Sequence, residues 1–179
     1  MKRVLVLALF ALASLPANAR ECGEGRVKGG LSVDGDALAN YECATLARIY
    51  CRIAEDRDAG MAQEEAAKRS ADWLNQLNRT GSNTRANWTP ILAIAAGDVY
   101  RNKDRKPGPT YYRAAYACGV ARRIGTDAEA QRRVGKAFDA AADRCEKQHA
   151  LEGPRSYPNE PLRNCLAESV KKLAPPVAR

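Results

Sequence analysis

The chain has no long hydrophobic run, almost no histidine and few aromatic side chains, and each shortage removes a class of function. The longest apolar stretch runs from Val4 to Leu15, broken only by Ser14. About a dozen residues cannot cross a bilayer core of roughly 30 Å as a helix, so no retained membrane span is expected. The single histidine, His149, excludes His-rich metal sites. At a helix end it serves the last carbonyls rather than catalysis. The sequence contains no C-x-x-C, C-x-x-C-H, H-E-x-x-H, G-x-S-x-G or phosphate-binding glycine loop. It therefore lacks the spacing signatures of thiol redox chemistry, haem attachment, zinc or serine hydrolysis and nucleotide binding. No catalytic residue, metal ligand or cofactor is assigned.

The amino-terminal end is more explicit. Met1, Lys2 and Arg3 precede the apolar run, and Pro16 with Ala17, Asn18 and Ala19 closes it. A positive start, a short apolar stretch and an A-x-A site make residues 1–19 a signal peptide cut after Ala19. Arg20 and Glu21 stand immediately before Cys22, which argues against a lipid anchor on that cysteine. The expected location is periplasmic or secreted. Loss of Lys2 and Arg3 leaves 27 basic residues against 21 acidic ones, a surplus that favours acidic partners without requiring them. Nucleic acid is not an expected partner outside the cytoplasm. All six cysteines, Cys22, Cys43, Cys51, Cys118, Cys145 and Cys165, lie after the cut. An even number in an oxidising compartment implies structural disulfides, up to three.

The remaining pattern is helical, an all-α single domain of five to six helices. Residues 20–35 hold five glycines and form an irregular leader, residues 36–174 the helical domain and residues 175–179 a short tail. The first helix spans Asp36 to Ala59, with Leu38, Leu46, Ile49, Tyr50 and Ile53 within an arc of about 120°. Arg48, Arg52 and Glu55 fall outside that arc, and Gly60 stops the helix. A second helix runs from Gln63 to Asn78. The loop Thr80–Thr84 follows, and Thr89 with Pro90 then caps a third helix through Ile91–Gly97. Residues 101–109 form a basic loop ending in a break at Pro107-Gly108-Pro109. The stretch Tyr111–Ala121, with Arg113 as its only charge, belongs at the centre of the bundle. Thr126 and Glu129 make a capping box for a helix reaching Lys147, whose stripe is Ala130, Val134, Ala137, Phe138, Ala141 and Cys145. A last helix starts near Asn159, with Pro161 in its first turn, and ends before Pro175.

Cys43 and Cys51 stand about 12 Å apart along one helix, too far for the roughly 7 Å limit on paired Cα atoms. Each must reach another segment. Cys145 and Cys165 close a hairpin across the loop Gly153–Pro158. Cys22 and Cys118 then serve the first helix, in an order the spacing leaves open. We favour Cys22 with Cys43 and Cys51 with Cys118.

Three functions survive. The first is a non-enzymatic binding, inhibitor or immunity-type module acting on another exported protein or acidic surface. Its candidate contacts are Tyr100, Arg101, Lys103, Arg105, Lys106, Tyr111 and Tyr112, basic side chains beside aromatics. The second is a small cell-wall hydrolase using Glu42 or Asp98 as a carboxylate of raised pKa. The third is a carrier with an apolar cavity lined by Ile91, Ile94 and Tyr116. Asp139, Asp143 and Glu146 read as a solvated face, with Lys147 four residues after Asp143.

Overall fold

The computed structural model describes Cys22 and residues 37–79, 88–149 and 160–174. The expected signal peptide, the leader other than Cys22, the loops Thr80–Thr84 and Gly153–Pro158, Asn159 and the tail lie outside the described residues. Six helices make up the rest: α1 (Ala37–Asp58), α2 (Gln63–Arg79), α3 (Thr89–Arg101), α4 (Pro107–Ile124), α5 (Ala128–Gln148) and α6 (Glu160–Leu173). Among the described residues there is no strand, and no helix is long and apolar enough to cross a membrane.

α1 is enclosed rather than amphipathic. No residue from Glu42 to Arg57 is exposed. One side sends Ala47 and Cys51 into a cluster with Tyr111, Tyr112, Ala115, Phe138, Leu162 and Leu166. The other sends Ile49, Ile53 and Ala54 into a second cluster with Ala66, Leu74, Trp88, Ala95 and Val99. α1 thus separates the α2–α3 pair from the α4–α5–α6 group, and Tyr50 packs against both clusters. The single arc expected of this helix was too narrow because half of its buried positions are Ala or Cys, namely Cys43, Ala47, Cys51 and Ala54. Arg48, Arg52 and Glu55 are each half-buried. Arg52 lies over the Trp73 ring at 4.9 Å from its centroid, and Glu55 accepts a 2.7 Å bond from the Cys22 amide.

α4 is the second central helix, and only Ala121 and Arg122 on it are exposed. It begins four residues before the expected start. Pro107-Gly108-Pro109 is its first turn and not a break, because the first amides of a helix have no intrahelical partner and proline loses nothing there. α4 runs antiparallel to α1. Glu42 at the start of α1 pairs with Arg122 at the end of α4, while Arg57 at the end of α1 bonds Arg105 just before α4. That register decides the disulfides. Cys118, late in α4, meets Cys43, early in α1, and Cys51 is left for Cys22. The favoured order was reversed, while Cys145–Cys165 closes α5 on α6 as expected. Three disulfides fit an oxidising compartment.

Helix ends follow from particular residues. Gly60, with φ 83°, closes α1. Its amide bonds the Arg57 carbonyl, and the Met61 amide bonds the Asp56 carbonyl, a left-handed stop that favours glycine. α3 opens on Trp88 without a side-chain cap, so Thr89 stands inside the helix. α5 is capped by Asp127, one residue later than expected. Its carboxylate accepts from the amides of Glu129 and Ala130 at 2.9 and 3.0 Å.

Burial at the α1 seam gives the first testable consequence. It raises the Tyr50 phenol to about 12, with Asp98 pushing the same way and Arg101 opposing. A phenol whose folded pKa exceeds its unfolded one leaves the native state holding more protons across pH 10 to 12, so stability falls as pH climbs through that window. The shift corresponds to about 3 kcal/mol. Chemical denaturation at stepped pH should show that decline in the wild type and a visibly shallower one in Tyr50→Phe; equal slopes would contradict the assignment.

Candidate functional site

The segment joining α3 to α4 is short, charged and held from three directions. Arg57, in the last turn of α1, has a side chain only 7% exposed and aims its guanidinium across the bundle. Its Nη1 donates to the carbonyls of Val99 and Asn102 at 3.0 and 2.9 Å, and its Nη2 to that of Arg105 at 2.7 Å. These are carbonyls at the negative end of α3 and in the loop, where a cation is favoured. Asp58 Oδ1 balances the charge, accepting from Nε and Nη2 at 2.9 and 2.6 Å.

The loop also holds itself. Asn102 Nδ2 donates to the Asp98 carbonyl and carboxylate at 2.8 and 3.1 Å, and the Arg105 amide bonds the Asn102 carbonyl at 3.1 Å. Thr110 returns its amide and hydroxyl to the Lys106 carbonyl. From the far side, Arg105 Nε reaches Glu146 Oε2 at 2.9 Å, with Asp143 at 3.6 Å. Arg113 joins the same acids, 2.5 Å from Asp143, 3.0 Å from Asp139 and 3.3 Å from Glu146. Burial of Arg113 disfavours its charge, but bonds and attraction from these carboxylates outweigh that and hold its pKa above the ordinary value. Asp139, Asp143 and Glu146 are therefore the far anchors of the loop and of α4, not a plain solvated face. Their arginine partners come from other elements, so spacing along α5 could not reveal them.

The expected contact residues divide accordingly. Arg101, Lys103 and Lys106 are exposed, Arg101 with 76% of its side chain accessible and Asp98 3.8 Å away. Arg105 is spent on the anchor. Tyr100 is half-buried and donates from its hydroxyl to the Met61 carbonyl at 2.5 Å. Tyr111 and Tyr112 are each 3% exposed and meet edge to face at 5.6 Å. They belong to the core, because α4 starts early enough to carry them inward. The contact set reduces to three cations on a pinned backbone. Arg57 was the residue that sequence reasoning missed. A basic side chain in the last turn of a helix was the available signal, but its targets lie 42 to 48 residues further on.

The other candidates are placed as follows. Glu42 is ion-paired with Arg122, and Asp98 receives Asn102. Neither lines the groove of about 250 Å³ that lies, among the described residues, between α4 and α5, bounded by Val120, Ile124, Gly135 and Phe138 among others. Of the expected cavity residues, Ile94 points outward, 64% exposed, while Ile91 and Tyr116 pack against different clusters. His149 caps α5, its amide donating to the Cys145 carbonyl at 2.9 Å. Among the described residues, no group of three or more His, Cys, Asp or Glu side chains is placed to hold a metal ion. Comparison of the chain with protein-family models, with curated proteins and with solved structures finds no match in any of the three.

Proposed function

We propose that the protein is an exported, periplasmic, non-enzymatic module that binds an acidic patch on another exported protein through the α3–α4 loop. The observation that carries this reading is the contrast within residues 101–106. Backbone carbonyls are claimed by Arg57 and the Arg105 side chain by Glu146, while Arg101, Lys103 and Lys106 stand in solvent. A loop fixed before binding loses little conformational entropy on docking, which is how a small basic contact gains affinity. Export rests on the Met1–Ala19 pattern together with the three disulfides.

The test is retention of a partner from periplasmic extract on the immobilised, disulfide-intact protein. Reversing Arg101, Lys103 and Lys106 to glutamate should abolish retention with only a small drop in the thermal midpoint, since all three side chains are exposed and only Arg101 gives up a surface pair, the 3.8 Å contact with Asp98. The wild type should lose its partner as salt is raised, because exposed charge contacts are screened. Undiminished, salt-insensitive retention by the triple variant would sink the reading.

A further inference from the structure

Resting on the binding reading above, we infer that the acidic element of the partner is an elongated polypeptide segment lying lengthwise on the outer face of α5, continuing the contact made by the loop. Arg132, Arg133, Lys136, Arg144 and Lys147 are all exposed on that helix. At about 100° per residue they share an arc of roughly 120° opposite the side that buries Phe138, Ala141 and Cys145. No ion pair among the described residues involves any of the five.

That lack of pairing has a structural cause. Helical spacing would set Asp139 against Lys136 and Asp143 against Lys147. Both acids are instead engaged by Arg113, and Asp143 also by Arg105. By the same spacing Asp143 falls at the Arg132 edge of the arc and Asp139 just beside it, both exposed, but their carboxylates are engaged from outside α5 by Arg113 and Arg105, which leaves the five cations without a partner on their own helix. The same network joins the two surfaces. Arg105 on Glu146 sets the loop beside the last turns of α5, the end of the row that carries Arg144 and Lys147.

Length and composition select the occupant. From Arg132 to Lys147 the helix rises about 22 Å, the span of an extended strand of about seven residues. The apolar residues on this face are small, Ala137 and Ala140. With no large apolar side chain to insert, the face lacks what an amphipathic helix needs to settle into a bilayer. Charge complementarity with an acidic peptide remains.

The experiment uses the full disulfide-bonded protein and fluorescently labelled heptaglutamate, with triglutamate and vesicles of phosphatidylcholine containing about 30% phosphatidylglycerol as the other arms. Heptaglutamate should bind more tightly than triglutamate. The variant R132E/K136E/R144E/K147E should bind it at least ~10-fold more weakly, the neutral R132Q/K136Q/R144Q/K147Q should fall between, and K171E/K172E on α6 should match wild type. The neutral set keeps the test valid if charge reversal disturbs the helix, which far-UV circular dichroism would reveal. Equal affinity for the two peptide lengths, or vesicle binding without peptide binding, would overturn the inference. If loop reversal abolishes partner retention while both α5 variants retain the partner and the peptide as wild type does, the inference fails and the binding reading stands. If neither set of variants affects retention, both fail.

Discussion

Replacing Cys43 and Cys118 together by alanine is expected to destabilise the protein more than removing either other disulfide, by about 4 kcal/mol. The three bridges span 75, 29 and 20 residues for Cys43–Cys118, Cys22–Cys51 and Cys145–Cys165. Loop-closure entropy grows with the logarithm of that span, giving upper figures of about 4.5, 3.6 and 3.3 kcal/mol. Position widens the gap. Cys43–Cys118 joins the two central helices, and Cys43 is fully buried, so truncation also leaves a small void between α1 and α4. Cys145–Cys165 ties neighbouring helices that Phe138, Leu162 and Leu166 already hold in one cluster. In a domain of this size each kcal/mol moves the melting midpoint by roughly 3 °C, so calorimetry should find a drop of about 12 °C for the 43/118 pair and the smallest for 145/165. The reverse ranking would mean that α1–α4 packing, not the covalent link, sets the cost.

What was legible in the sequence, and what was not, divides by range. The helices were readable because their signals are local: the stripe of α5, Gly60 after α1 and the proline-bounded end of α6. So was the central position of α4, whose stretch Tyr111–Ala121 carries Arg113 as its one charge. Errors of a few residues came from rival local signals. Asp127 caps α5 although Thr126 fits the same pattern, and a proline pair read as a stop serves as a start. The disulfide order was not readable, because it depends on the antiparallel register of α1 against α4. The same limit hid the arginine–carboxylate network, whose partners in Arg105 and Arg113 lie 26 to 41 residues from the acids of α5. At the candidate site, Arg101, Lys103 and Lys106 could be named from composition alone. Which neighbouring groups display those cations, and which are consumed in holding the loop still, is a property of the assembled bundle.

Arg57→Ala is the substitution expected to do most damage among single changes. It removes one cation, leaves the carbonyls of Val99 and Arg105 without the donor that serves them and that of Asn102 with the Arg105 amide alone, and leaves Asp58 without its partner. An unmet buried acceptor costs about 1 to 3 kcal/mol, and water can reach some of this set once the side chain is gone, so a total loss of about 4 kcal/mol is expected. Arg57→Lys should recover only about half, because an ammonium on a flexible stem cannot span three carbonyls as the planar fork does. The functional consequence is separable from the stability loss. At a temperature where Arg57→Lys is still fully folded, amide exchange in residues 102–106 should speed up before that of α1 or α4, since the clamp is local to the loop. Partner affinity should fall with it, because loop ordering is then charged against binding. If Arg57 acts only by holding the loop, its effect on affinity should vanish in a background where Arg101, Lys103 and Lys106 are already reversed. An undiminished effect there would place Arg57 on some other route to the bound surface.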